Sequence, residues 1–123
     1  MSSNPRTFEP TSVSRAYFQA NELLGDRRNC KLANETYLRR IPMEGGISAF
    51  YHGWEIISYT EERIALNTWG YNTHSTRARF NWFLPKSIRV YQKDHVLYLD
   101  YLKRTHKFRD GMSLLPMGKV LPE

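Results

Sequence analysis

Apolar and polar positions alternate in short runs through the middle of the chain. Ile47, Ala49 and Tyr51 alternate with Ser48 and Phe50, and Gly53 marks a turn. Trp54 to Tyr59 is a β-branched and aromatic run, and Glu61-Glu62 makes a polar connection. Ile64, Leu66 and Thr68 then alternate with Arg63, Ala65 and Asn67. Period-2 patterning in segments this short predicts half-buried antiparallel strands joined as a meander. The alternation breaks at Trp69-Gly70-Tyr71-Asn72, where Gly70 supplies a positive φ for a turn.

Helical spacing appears twice. Val13, Ala16, Tyr17, Ala20 and Leu24 form one stripe, with Thr11 or Ser12 placed to cap its start and Gly25 placed just past its end. The second case follows Thr73-His74-Ser75-Thr76, whose side chains suit a helix start. Phe80, Phe83 and Leu84 then recur at helical intervals until Pro85 stops the element, predicting a helix over about 75–84 with its aromatic face on the sheet. Tyr37 to Ile41 reads as a strand. IRVYQ and VLYLDYL read as a strand pair around the polar turn Lys93-Asp94-His95. Asp26 to Leu32, with the sequence DRRNCKL, reads as a charged connection.

The fold class expected is therefore α+β: an antiparallel sheet of about five to six strands carrying an N-terminal helix and a second short helix. Residues 1–10 read as a flexible polar arm, 11–112 as a single domain and 113–123 as an apolar tail packed on the domain or on a neighbouring subunit.

The order Asn34-x-Thr36-Tyr37-Leu38, an Ile-rich strand reaching His52, and Gly70-x-x-Thr73-x-x-Thr76-x-x-Arg79-x-Asn81 resembles a small domain common among tailed-bacteriophage accessory proteins. The pattern runs from about Lys31 to Tyr98. The resemblance implies a phage setting and no mechanism. The chain departs from it in Trp54, where a small polar residue is usual after the histidine, and in its basic C-terminal extension.

Composition narrows the function. Eighteen Lys and Arg against twelve Asp and Glu leave a net charge of +6 over 123 residues, which favours an anionic partner such as nucleic acid or a nucleotide. One cysteine, Cys30, rules out an internal disulfide and any cysteine-based metal cluster, and fits a reducing cytosol. Arg27, Arg28 and Lys31 beside it would favour a thiolate, although a partly buried free thiol is the plainer reading. No apolar run is long enough to cross a membrane and no signal-peptide pattern opens the chain, so a cytoplasmic location is expected, the host's if the protein is viral. His52, His74, His95 and His106 are dispersed without metal-ligand spacing, and no nucleophile or phosphate-loop signature occurs. No cofactor, metal or catalytic residue is expected, and the chain reads as non-enzymatic.

Two sets of residues suggest binding. Arg77 and Asn81 are four apart, with Thr73 one turn earlier, so one helix face offers a guanidinium, an amide and a hydroxyl near a helix start where phosphate is favoured. Arg79 points elsewhere; it either joins a phosphate site or, with Asn81, ties the helix to neighbouring loop carbonyls. The second set is the basic run Lys103, Arg104, Lys107 and Arg109. Phe108 within it and Tyr98 and Tyr101 before it are its candidate stacking rings, since single-stranded nucleic acid asks for phosphate contacts interleaved with aromatic faces, and Trp69 beside the Gly70 turn is a separate stacking candidate. The leading expectation is a phage-type accessory protein that binds a phosphate-bearing partner, most simply nucleic acid. The alternatives are a protein–protein module, acting as an inhibitor of a host defence or polymerase complex or as a small virion component, and a sponge for a signalling nucleotide. Homo-oligomerisation is compatible with each.

Overall fold

The computed structural model describes residues 8–122. Two helices and ten short strands make an α+β fold with two antiparallel sheets. The first helix, α1 (Val13–Leu24), starts where Ser12 accepts a hydrogen bond from the Arg15 N–H at 3.2 Å. It ends at Gly25, whose φ of 58° is open to glycine at little cost. Its stripe Val13, Ala16, Ala20 and Leu24 is buried on the sheet.

Next come β1 (Asn29–Ala33), β2 (Thr36–Ile41), β3 (Gly46–Tyr51), β4 (Trp54–Tyr59) and β5 (Ile64–Leu66), a meander in chain order. The larger sheet is completed beyond β5 by β9 (Ser113–Leu114) and β10 (Val120–Leu121). Between β5 and the smaller sheet lies α2 (His74–Phe83). That sheet consists of β6 (Ile88–Lys93), β7 (Val96–Tyr101) and β8 (Arg104–Lys107), in that order.

Three elements differ from the sequence reading. The stretch expected as a charged connection contains β1, an edge strand that turns Cys30 and Leu32 toward the core and leaves Asn29 and Lys31 exposed. A charged edge of this kind discourages pairing with another chain. The basic run contains β8, and the tail supplies β9 and β10, so the sheets hold more strands than expected. Within the stretch expected as an arm, Phe8 is buried against Tyr59 and Phe83, with ring centroids 5.7 and 6.0 Å away. The rest of that arm lies outside the described residues.

Both helices cover one face of the larger sheet, over Leu38, Ile47, Ala49, Ile57, Tyr59, Ile64, Leu66 and Leu114. Arg40 projects from this face to the end of α1 and donates to the carbonyls of Gly25 and Arg27 at 2.5 and 3.0 Å, a cation at a helix C-terminus. Gly46 is needed because a Cβ there would sit 2.9 Å from the Tyr59 carbonyl. The Tyr59 hydroxyl donates to the Phe83 carbonyl at 2.8 Å, and burial raises its pKa well above the ordinary tyrosine value. The β3–β4 ladder skips Ile56: Ala49 faces Ile57 and Phe50 faces Glu55. This bulge lets the adjacent Ile56 and Ile57 both be buried.

The aromatic face of α2 is at the centre of the core. Phe80 and Phe83 are fully buried, and Phe80 packs on Phe108 with ring centroids 5.5 Å apart. Phe80→Ala should cost roughly 3–5 kcal/mol, the usual effect of deleting a buried ring. Urea denaturation followed by circular dichroism measures this, and an unchanged midpoint would contradict the packing described.

Candidate functional site

Helix α2 starts at Thr73, whose hydroxyl oxygen accepts from the Thr76 N–H at 3.1 Å and lies 3.0 Å from the Thr76 hydroxyl. Arg77 and Asn81 do share a face, as their spacing requires, and β6 fills that face. Asn81 donates from its amide to the Val90 carbonyl at 2.9 Å and accepts from the Val90 N–H at 2.8 Å. Arg77 donates from Nη1 to the Gln92 and Asn72 side chains at 2.8 and 2.9 Å. Of the expected phosphate set, Asn81 serves backbone groups at the unpaired edge of the smaller sheet, Arg77 is held on side chains beside it, and Thr73 caps the helix.

Arg79 points to the other sheet. Its guanidinium lies between the rings of Tyr51 and Trp82, 4.2 and 4.5 Å from their centroids, and donates to the Thr36 hydroxyl at 3.3 Å. Thr36 is fully buried and donates to the Asn34 carbonyl at 2.8 Å. The elements of the phage-type pattern thus meet in space. Asn34, Thr36, Thr73, Thr76, Arg79 and Asn81 cap α2 and fasten it between the two sheets.

The basic run is divided by its own strand. Lys103 lies in the β7–β8 turn with φ 66°, Arg109 lies beyond β8, and Lys103, Arg104, Lys107 and Arg109 are all exposed. Two of its expected stacking rings are unavailable. Tyr101 is buried and donates to the Leu115 carbonyl at 2.8 Å, while Phe108 packs inward on Phe80. Strand alternation places Lys107 and Thr105 on one side of the sheet and Arg104 and His106 on the other.

The side that carries Lys107 keeps Tyr98, a ring expected with the run, and adds Tyr91. Across the ladders, Arg89 faces Asp100, Tyr91 faces Tyr98, Lys93 faces Val96, and Tyr98 also faces Lys107. The opposite side is buried through Ile88, Val90, Leu99 and Tyr101, so this is the open face of the smaller sheet. Tyr91 and Tyr98 lie 5.9 Å apart and tilted by 32°, with the Arg89 guanidinium 5.4 Å from the Tyr91 centroid. Asp100 accepts hydrogen bonds from the hydroxyls of Tyr91 and Thr105 at 3.0 and 2.7 Å, which fixes the Tyr91 ring. Among the described residues no Lys or Arg nitrogen lies within 4.0 Å of a carboxylate, and the His52 Nδ1 lies 3.6 Å from the Glu35 carboxylate. The cations of this face are therefore free to meet an anion.

Trp69 belongs to a separate feature. Trp54, Trp69 and Tyr71 are 44%, 46% and 53% exposed and form a row, with Trp54 5.7 Å from each of the other two rings. Trp54 and Tyr71 border a cleft of about 470 Å³ closed by Tyr51, His52, Ile56, Thr73 and Ser75, which Trp69 adjoins through Trp54, and no Lys or Arg lines it. Trp69 holds a φ of 55°, uncommon for a bulky residue. Its N–H donates to the Asn67 side chain at 2.7 Å and its indole N–H to the Glu55 carbonyl at 2.6 Å. The Thr68 N–H and hydroxyl donate to Asp110 at 2.7 and 2.8 Å, tying this turn to the segment after β8.

Among the described residues no three His, Cys, Asp or Glu side chains come together as a metal site, and no helix is long and apolar enough to cross a membrane. Residues 15–115 match the family described as Kyanoviridae Gp96 protein. The match covers most of the chain, from α1 to just past β9, and the chain belongs to that family of phage proteins, in agreement with the resemblance noted in the sequence. No curated protein and no solved structure matches it.

If Asn81 serves the Val90 backbone, Asn81→Ala should destabilise the fold by about 1–3 kcal/mol, the combined worth of two partly buried hydrogen bonds. Asn81→Asp should not restore it, because a carboxylate cannot donate to the Val90 carbonyl. Urea titration measures both, and wild-type stability in either variant would contradict this role.

Proposed function

We propose that this member of the Kyanoviridae Gp96 family is a binding protein without catalytic chemistry that holds single-stranded nucleic acid on the open face of its smaller sheet. One observation carries the reading: Tyr91 and Tyr98 lie side by side on that face, bordered by Arg89, Lys93 and Lys107. Stacked bases find two ring surfaces there, and phosphates find exposed cations not already paired with carboxylates. A three-stranded sheet presents these groups on a rigid pleat, so little ordering entropy is lost when a strand binds. Arg104, Lys103 and Arg109 lie beside or behind this face and would extend the favourable field without touching the stacked bases.

A second reading, contact with a protein partner, is favoured by Leu102 and Met117. They are 53% and 92% exposed, and both adopt positive φ, at 45° and 68°. Such contact would show little dependence on salt, whereas strand binding releases counterions and weakens steeply as salt rises.

Replacing Arg89, Lys93 and Lys107 together by Gln should flatten the plot of log affinity against log salt by about two units, at roughly 0.7 per phosphate contact on single strands. Tyr98→Ala should weaken binding by about 1–3 kcal/mol and leave the slope unchanged, since it removes a stacking surface and no charge. Fluorescence anisotropy with a labelled oligonucleotide measures both. A wild-type protein that binds no oligonucleotide at low salt would overturn the proposal.

A further inference from the structure

We infer that the cleft beside Trp54, Trp69 and Tyr71 is a second binding site, for an uncharged flat heteroaromatic ring of the nucleobase class. It is separate from the tyrosine face: its residues come from β3, β4, the β5–α2 turn and the start of α2.

The ring row is held in place before any ligand arrives. Trp69 is kept in a backbone conformation that bulky residues seldom adopt, and the Asn67, Thr68 and Glu55 hydrogen bonds hold that turn and the indole. Leaving three large rings half exposed sacrifices burial that the core would otherwise gain. A fold that both strains and exposes a tryptophan in this way presents its flat face to something.

The geometry narrows what that is. Centroids 5.7 Å apart leave no slot between neighbouring rings, so a ligand lies along the row and is not inserted into it. Its other side meets Thr73, Ser75 and His52, groups that can donate or accept at the edge of a ring. The lack of Lys and Arg in the lining gives a phosphate no counter-charge, so the recognised part is neutral. A neutral plane with a polar rim describes a nucleobase, either free as a nucleoside or carried on a strand.

The three tryptophans supply the test. Trp54 lines the cleft and Trp69 packs on Trp54, whereas Trp82 is outside the lining and packs on Arg79. In a ¹⁵N-labelled sample titrated with the four ribonucleosides and a tetranucleotide, the indole N–H signals of Trp54 and Trp69 should move and that of Trp82 should not. The midpoint should be unaffected by salt for the nucleosides. It should rise at least 10-fold in Trp69→Gly, a substitution that suits the positive φ and spares the turn. Movement with nucleosides alone identifies a free ligand, and movement with the tetranucleotide identifies a base on a strand; both support the site. The Tyr91→Ala/Tyr98→Ala double variant should retain the nucleoside response, so failure of strand binding at the sheet and failure of this cleft are told apart. The inference is overturned if neither probe moves the two signals, if methyl glucoside moves them as far, or if Trp82 moves with them.

Discussion

The two hydrogen bonds between Asn81 and Val90 join the halves of this protein. The smaller sheet has an edge at β6, and an unpaired edge is both a desolvation cost and an invitation to another strand. Here a helix side chain supplies the missing donor and acceptor. Arg77 continues the contact to Gln92, and Arg79, about half a turn round the same helix, reaches Tyr51 and Thr36 in the larger sheet. Helix α2 is thus a polar clasp on two sides and an apolar wedge on the third, through Phe80 and Phe83.

That arrangement explains where function is available. Arg77, Arg79 and Asn81 on α2 are occupied with the fold, so an incoming ligand must use what the sheets, the turns and the start of the helix leave open. The smaller sheet is filled on its inner side and free on its outer side, where alternation along β6, β7 and β8 gathers cations around two tyrosines. The bulge at Ile56 and the bonds from Thr68 to Asp110 shape the other opening, where Trp54 and Trp69 meet.

Much of the fold was legible in the chain. Val13, Ala16, Ala20 and Leu24 read as one buried stripe and are one, and the six strands visible in the alternation are all present. What misled was charge. In DRRNCKL the alternation of Cys30 and Leu32 against Asn29 and Lys31 was there to see, yet the flanking arginines suggested a connection. The two-residue strands β9 and β10 are too short to show a period, and no local signal says that β6 begins a new sheet. At the candidate site, the density of KRTHKFR drew the reading to consecutive residues, whereas a strand sends consecutive residues to opposite faces. Arg89, Tyr91 and Lys93 were separated from Lys107 along the chain and could be joined only through the register of β7. Spacing groups Thr73, Arg77 and Asn81 on one face of the helix and sets Arg79 apart, but spacing cannot tell a ligand from a neighbouring strand edge.

Photochemical cross-linking of the full chain to a 4-thiouridine-substituted oligoribonucleotide, with the attached peptides identified by mass spectrometry, tests most directly whether the tyrosine face holds a strand. Adducts on Tyr91 or Tyr98 that disappear in the Arg89/Lys93/Lys107→Gln variant are the predicted result. Efficient cross-linking confined to residues outside β6, β7 and β8, or none at low salt, would contradict it.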